Sequence, residues 1–315
     1  MSALLNNVDP DGLREFSVVF TARSLNSMSK AFQKVMTDIS GMLKDVYKAE
    51  SVAIIPGGGT YAMEAVARQF ARNERALVVR NGWFSYRWSQ IMEAGGLPSE
   101  ATVMKARQTG NDTRAPFAPC PIDDVVARIL KEKPAVVFAP HVETSAGVIL
   151  PDDYITAMAV AAHEVRALMV LVRIASGCAW VDMKATGVDV LISAPQKGWS
   201  ATPCAGLVMM SARARAKIDE TSSDSFAIDL KKWLTIMETY EGGGHAYHAT
   251  MPTDGLRAFR DTMIETRDYG FETLRDAQWR LGNGVRDMLA AKGVVSVAAE
   301  GSGAPGVVVS YTDDP

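Results

Sequence analysis

With 315 residues, 48% hydrophobic side chains and a formal charge of −3, the chain can bury a sizeable core but offers no basic field for nucleic acid or anionic lipid. Its three cysteines, Cys120, Cys178 and Cys204, are far apart and lack CxxC spacing, which argues against a disulfide framework and against a zinc site. Residues 1–14 contain no apolar signal core, and no apolar run reaches the ~18 residues that a membrane span needs, so a cytoplasmic protein without a membrane segment is expected.

Residues 25–49 repeat apolar side chains at helical spacing (Met28, Phe32, Val35, Met36, Ile39, Leu43), with Asn26 and Ser27 as candidate caps. A short apolar strand, 51–56, then runs into Gly57-Gly58-Gly59-Thr60 and a helical stretch, 61–72. Further strands are expected at 76–80, 135–139, 167–172, 188–192 and 206–211, and helices at 84–94, 122–133, 152–166 and 225–240. Strands that alternate with helices predict βαβ units and a largely parallel sheet covered on both faces. The pattern at 254–292 is too long for one ordinary helix and contains Gly270, so it reads as two helices or one bent helix. A small β element at 294–298 and 306–311 closes the chain, and a boundary is expected near Met251-Pro252, which gives domains of 1–250 and 251–315.

Lys197 follows the apolar run Val188-Asp189-Val190-Leu191-Ile192 among small residues. Burial at a strand end disfavours an ammonium, which would leave a nucleophilic amine suited to Schiff-base chemistry. A lysine that merely extends into water fits the same pattern. Gly57-Gly58-Gly59-Thr60 opens a helix whose free N–H groups and dipole suit an anion, although a tight strand–helix connection explains the glycines equally well. His141 to Gly147 crowds imidazole, carboxylate and hydroxyls after a strand, where open α/β sheets bind ligands. A structural histidine and a helix-capping loop are the alternatives there. Trp83, Phe84 and Tyr86 follow another strand and could stack on a flat ligand or pack in the core.

In this order, over roughly residues 51–252, these pieces resemble the class V aminotransferases of fold type I pyridoxal-phosphate (PLP) enzymes, in the alanine–glyoxylate and serine–pyruvate branch. The resemblance implies a three-layer α/β/α large domain with a truncated α+β small domain, the chain stopping at Pro315 before the family's carboxylate-clamping arginine. It implies that Lys197, preceded by Gln196, forms the Schiff base with PLP, and that Gly58, Gly59 and Thr60 hold the phosphate. Phe84, within Asn81-Gly82-Trp83-Phe84-Ser85-Tyr86-Arg87, takes the stacking role, and Ser145 lies near the cofactor's phenolic oxygen. Tyr247 and Thr250 match the pair that reaches the phosphate of the neighbouring subunit, which implies a homodimer with shared sites. The implied reaction moves an amino group between a small amino acid of the alanine or serine type and a 2-oxo acid of the glyoxylate or pyruvate type.

One departure concerns the chemistry. Val172 stands where the family carries an aspartate toward the pyridine nitrogen, so the expected activity is impaired, and strand alternation points Arg173 the other way. Two competing readings stay open: a PLP-binding or scaffold homologue without turnover, and a PLP-dependent lyase, which calls for a reactive cysteine loop that the sequence does not display.

Overall fold

The computed structural model describes residues 25–312. The reading of residues 1–14 as lacking a signal core, and positions 313–315 of the expected small domain, lie outside them. In chain order the elements are α1 (Lys30–Tyr47), β1 (Ser51–Pro56), α2 (Gly59–Phe70), β2 (Arg75–Arg80), α3 (Trp83–Gly95), β3 (Glu100–Lys105), β4 (Arg107–Gln108) and β5 (Phe117–Ala118). There follow α4 (Ile122–Glu132), β6 (Val136–Pro140), β7 (Val142–Glu143), β8 (Val148–Ile149), α5 (Asp152–Glu164), β9 (Leu168–Val172) and α6 (Met183–Thr186). The last are β10 (Val190–Ser193), β11 (Ala205–Met210), α7 (Ala212–Glu220), α8 (Leu230–Glu241), α9 (Thr253–Tyr269) and α10 (Phe271–Ala291).

Seven strands form one sheet in the order β1-β11-β10-β9-β6-β2-β3. The pairs β10–β9, β9–β6, β6–β2 and β2–β3 are parallel, whereas β11 runs antiparallel to both β1 and β10. The sheet is therefore largely parallel, as the alternation predicts, and mixed only through the reversal of β11. Its cause is local: residues 194–204 between β10 and β11 contain no crossover helix, and without one the chain can only return antiparallel. Because β1 is antiparallel to β11, it points the same way as the parallel strands, and the loops after β1, β2, β6, β9 and β10 all meet at one sheet edge.

The central strands are apolar except for Ser193, with β6 and β10 wholly buried, as a sheet covered on both faces requires. Helices α2 and α3 pack together, over β10–β11 and over β2–β6 respectively. Helix α1 lies across β1 and β11, with α8 and α9 against it, and α5 covers β9. The side chains that follow β9 show the two faces directly. Val172 and Ile174 point to the α2–α3 side, while Arg173 between them reaches Tyr47 of α1.

The edge strand β3 escapes a reading by hydrophobic runs because most of its residues are exposed or half-buried. Gly270, at φ +105°, separates α9 from α10, a backbone conformation that side-chain-bearing residues rarely adopt. Helix α9 still belongs to the main core through Leu256, Phe259 and Met263. The expected C-terminal β element does not form strands. It is reduced to single bridges, Ser296 to Ser310, Ala298 to Phe117 and Gly303 to Val148, which pin the tail onto β5 and β8. No helix among the described residues is long and apolar enough to cross a membrane.

Candidate active site

At the shared sheet edge, Gly59, Thr60 and Met63 of α2, Phe84, Ser85 and Arg87 of α3, Pro140, Val142 and Thr144 around β6–β7, Val172, Ile174 and Ala175 after β9, and Gln196 and Lys197 after β10 line one cavity. Its position, outside the carboxyl ends of parallel strands, is where α/β sheets leave a crevice.

Lys197 is held there by its neighbours. Trp199 is fully buried and packs edge-on against Tyr47, Phe259 and Phe271 and tilted against Trp180. Burial of such a ring contributes on the order of 4–6 kcal/mol. A Cβ on Gly198 would lie 2.1 Å from the carbonyl oxygen of Gly177, so the lysine loop abuts the loop after β9 and admits only glycine. Lys197 itself is exposed, not buried as the strand-end argument expects, because β10 stops at Ser193 and the side chain starts beyond the covered edge. Its carbonyl accepts the Ser200 amide at 3.0 Å, while its Nζ makes no hydrogen bond or ion pair with the described residues. Gln196 is half-buried, and its Oε1 atom is buried without a partner.

Two helices begin at the cavity, and they differ in what satisfies their first N–H groups. At α3, Glu143 is fully buried. Its carboxylate accepts the amides of Phe84 (3.0 Å) and Ser85 (2.9 Å) and the hydroxyl of Ser85 (2.6 Å). It also accepts the amide (3.2 Å) and hydroxyl (2.7 Å) of Ser145. At α2 the N-cap is Gly58, which has no side chain to offer. The first amides of α2 are therefore left open toward the cavity, as an anion site requires. Arg87 adds a cation there, its Nη1 donating to Thr60 Oγ1 at 3.0 Å with its guanidinium over the Phe84 ring at 5.4 Å. A Cβ on Gly59 would meet Ile174 Cδ1 at 2.2 Å, so α2 approaches the β9 loop as closely as glycine allows.

The structure thus brings Gly59, Thr60, Phe84, Gln196 and Lys197 together, with Gly58 adjoining. Phe84 is 42% exposed, its ring available at the cavity. Ser145 lies just outside: its hydroxyl accepts the Trp83 amide at 2.8 Å and donates to Glu143, while Thr144 beside it lines the cavity. Tyr247 is 73% exposed and contacts Thr250 (3.5 Å), and neither lines the cavity of its own chain. His141 is buried, bonded through Nδ1 to Ser176 Oγ at 2.8 Å, and desolvation, then Arg173, lowers its pKa to about 3. It is a neutral structural histidine.

Sequence reasoning did not assign Arg87 or Glu143. The signal for Arg87 was its place one helical turn after Phe84, on the same face. Glu143 stood out only as the carboxylate of a crowded loop; its capping role was not legible, because a buried carboxylate that caps a helix from 58 residues away is not a local pattern.

The class-V aminotransferase family model matches residues 15–306. The chain belongs to that family. It is 25% identical over 301 residues to alanine–glyoxylate aminotransferase 1 of Saccharomyces cerevisiae, covering 90% of this chain and 74% of the relative. Against the alanine–glyoxylate aminotransferase of Rattus norvegicus it is 25% identical over 264 residues, 82% of this chain but 59% of the relative. A crystal structure of alanine–glyoxylate aminotransferase from Nostoc sp. superimposes with a TM-score of 0.78 at 22% identity, covering 91% of this chain and 74% of that one. At that identity the superposition speaks for the fold.

Family membership implies pyridoxal phosphate as cofactor, and the cavity accommodates it. The uncapped α2 terminus with Arg87 suits a phosphate, Phe84 presents a ring face, the orphaned Gln196 Oε1 awaits a donor, and the Lys197 amine is unengaged. No carboxylate is among the lining residues.

Proposed function

We propose that the protein is a pyridoxal-phosphate-dependent aminotransferase acting between a small amino acid of the alanine or serine type and a 2-oxo acid of the glyoxylate or pyruvate type. The observation that carries this reading is a single cavity that holds an unpartnered lysine amine, an uncapped helix N-terminus and an arginine. The names of the yeast and rat relatives support small substrates.

When bound, the cofactor supplies a carbonyl that links to amines and a ring that accepts electron density from the substrate's Cα. The amides at the start of α2, with Thr60 and Arg87, bind and orient the phosphate. Glu143 fixes the first turn of α3, so that Phe84 covers one face of the ring and keeps water from it. Lys197 Nζ would hold the cofactor, and its free amine would serve as the base that takes the proton from the substrate's Cα and the acid that returns it.

A homodimer goes with this reading. Tyr247 and Thr250 are exposed on a glycine-rich loop away from their own cavity, which suits delivery to a partner's phosphate. The division near residue 250 also goes with it, with α9 as the connector. Three unpaired thiols support a cytoplasmic setting. Against a lyase, burial pushes the thiols of Cys120, Cys178 and Cys204 up, the last to about 11, so none is poised as a nucleophile. The absence of a carboxylate from the cavity favours the second reading, a cofactor-binding homologue with little turnover. The test is a single-turnover spectrum with L-alanine in excess. Conversion of bound PLP to its pyridoxamine form supports the transferase; a spectrum that never changes supports the inactive homologue.

A further inference from the structure

The cavity wall has one sign of charge. Arg87 and Lys197 line it, and Arg173 lies directly behind Val172 and Ile174 on the opposite face of the strand end. Arg173 is 1% exposed and has no carboxylate partner among the described residues. Its guanidinium donates to Tyr47 Oη and to the carbonyls of Gly177 and Ala179, and stands over the rings of Tyr47 (5.0 Å) and Trp180 (4.9 Å). Burial pushes the Tyr47 phenol up, so it stays neutral and leaves the cation uncompensated.

Among the described residues no acid lines the cavity. Glu143, the buried carboxylate closest in sequence to the wall, keeps its charge at the start of α3, with both oxygens engaged by Phe84, Ser85 and Ser145 and neither presented to the cavity. Asp189 is spent at the other end of β10 on His163, the Met169 amide and Ser211. His141 is neutral and bonded to Ser176. A heteroaromatic nitrogen placed anywhere in this cavity therefore meets aliphatic wall, hydroxyl or amide groups and cations. Nearby positive charge and low polarity both disfavour its protonation.

We propose that this site holds its pyridine cofactor with the ring nitrogen unprotonated, Val172 and the buried Arg173 together excluding the pyridinium. The proposal rests on the PLP reading given above. A neutral ring draws less electron density from the substrate, so the cavity is built to retain the cofactor more than to activate it.

The test is nitrogen NMR of the 315-residue protein loaded with PLP labelled with ¹⁵N in the ring, and of Val172→Asp loaded likewise. The wild-type resonance is expected at the free-base position and unmoved from about pH 6 to about pH 9. In Val172→Asp a carboxylate within ~4–6 Å should raise the ratio of pyridinium to free base by about tenfold or more. A pyridinium resonance in the wild-type protein at neutral pH overturns the proposal and leaves the PLP reading intact; this result needs no variant to fold. Absence of any bound-cofactor resonance, with no pyridoxyl group trapped by borohydride, overturns the PLP reading itself.

Discussion

Glu143→Gln tests whether the first turn of α3, and with it Phe84, is held by charge. The carboxylate accepts hydrogen bonds from Phe84, from the amide and hydroxyl of Ser85, and from the amide and hydroxyl of Ser145. Glutamine keeps the shape but turns one acceptor oxygen into an NH₂ group that faces donors. If the oxygen lost is the one facing Ser85, a buried amide is left without an acceptor, which costs about 1–3 kcal/mol. Losing a negative charge at a partly buried helix N-terminus costs up to about 2 kcal/mol more. Allowing for partial relaxation, a local cost of about 2–4 kcal/mol is expected. Amide hydrogen exchange at Phe84 and Ser85 should then quicken by about 30- to 700-fold, since each ~1.4 kcal/mol is tenfold. Exchange within about threefold of wild type at both amides would refute the assignment of Glu143 as the residue that positions this turn.

Gly59→Ala puts a methyl 2.2 Å from Ile174 Cδ1 and drives that side chain toward the cavity; a destabilisation of about 1–3 kcal/mol and weaker PLP binding by titration are expected, with Ile174→Val as a second substitution restoring both. Val172→Asp should speed the L-alanine half-reaction by about tenfold to a thousandfold, and an unchanged single-turnover rate speaks against a ring-nitrogen role for this position. His141 is buried neutral with its pKa lowered to about 3, so between about pH 6.5 and pH 3 the unfolded chain binds the extra proton. Stability from this group is thus full above the unfolded pKa and falls with decreasing pH by up to about 1.4 kcal/mol per unit; a His141→Gln variant with the same acid slope in its melting temperature contradicts this. Iodoacetamide at about pH 8 should label the three cysteines slowly in the native protein, and fast stoichiometric labelling of Cys178 or Cys204 would reopen the lyase reading.

Most of the helices and sheet strands were legible because each declares itself locally: apolar runs gave β1, β6 and β9, and helical spacing gave α1 and α5 within a few residues. The direction of β11 was not, since an apolar run carries no sign; only the missing crossover helix in 194–204 hints at it. The edge strand β3 and the ribbon β4–β5 were invisible because they bury too little to impose a pattern. At the site, the residues on glycine-marked loops, Gly59, Thr60 and Lys197, could be named from sequence through the family resemblance. The exposure of Lys197 and the spending of Ser145 on Glu143 could not, because both follow from where separate loops meet at the sheet edge.

The central claim is that Lys197 is the residue that holds pyridoxal phosphate. Saturating the protein with PLP, reducing with borohydride and mapping the peptides by mass spectrometry tests it most directly. The account predicts one pyridoxyl group, on Lys197, and its loss in Lys197→Ala with the far-ultraviolet circular dichroism unchanged. A pyridoxyl group on another lysine, or none in the wild-type protein, contradicts it.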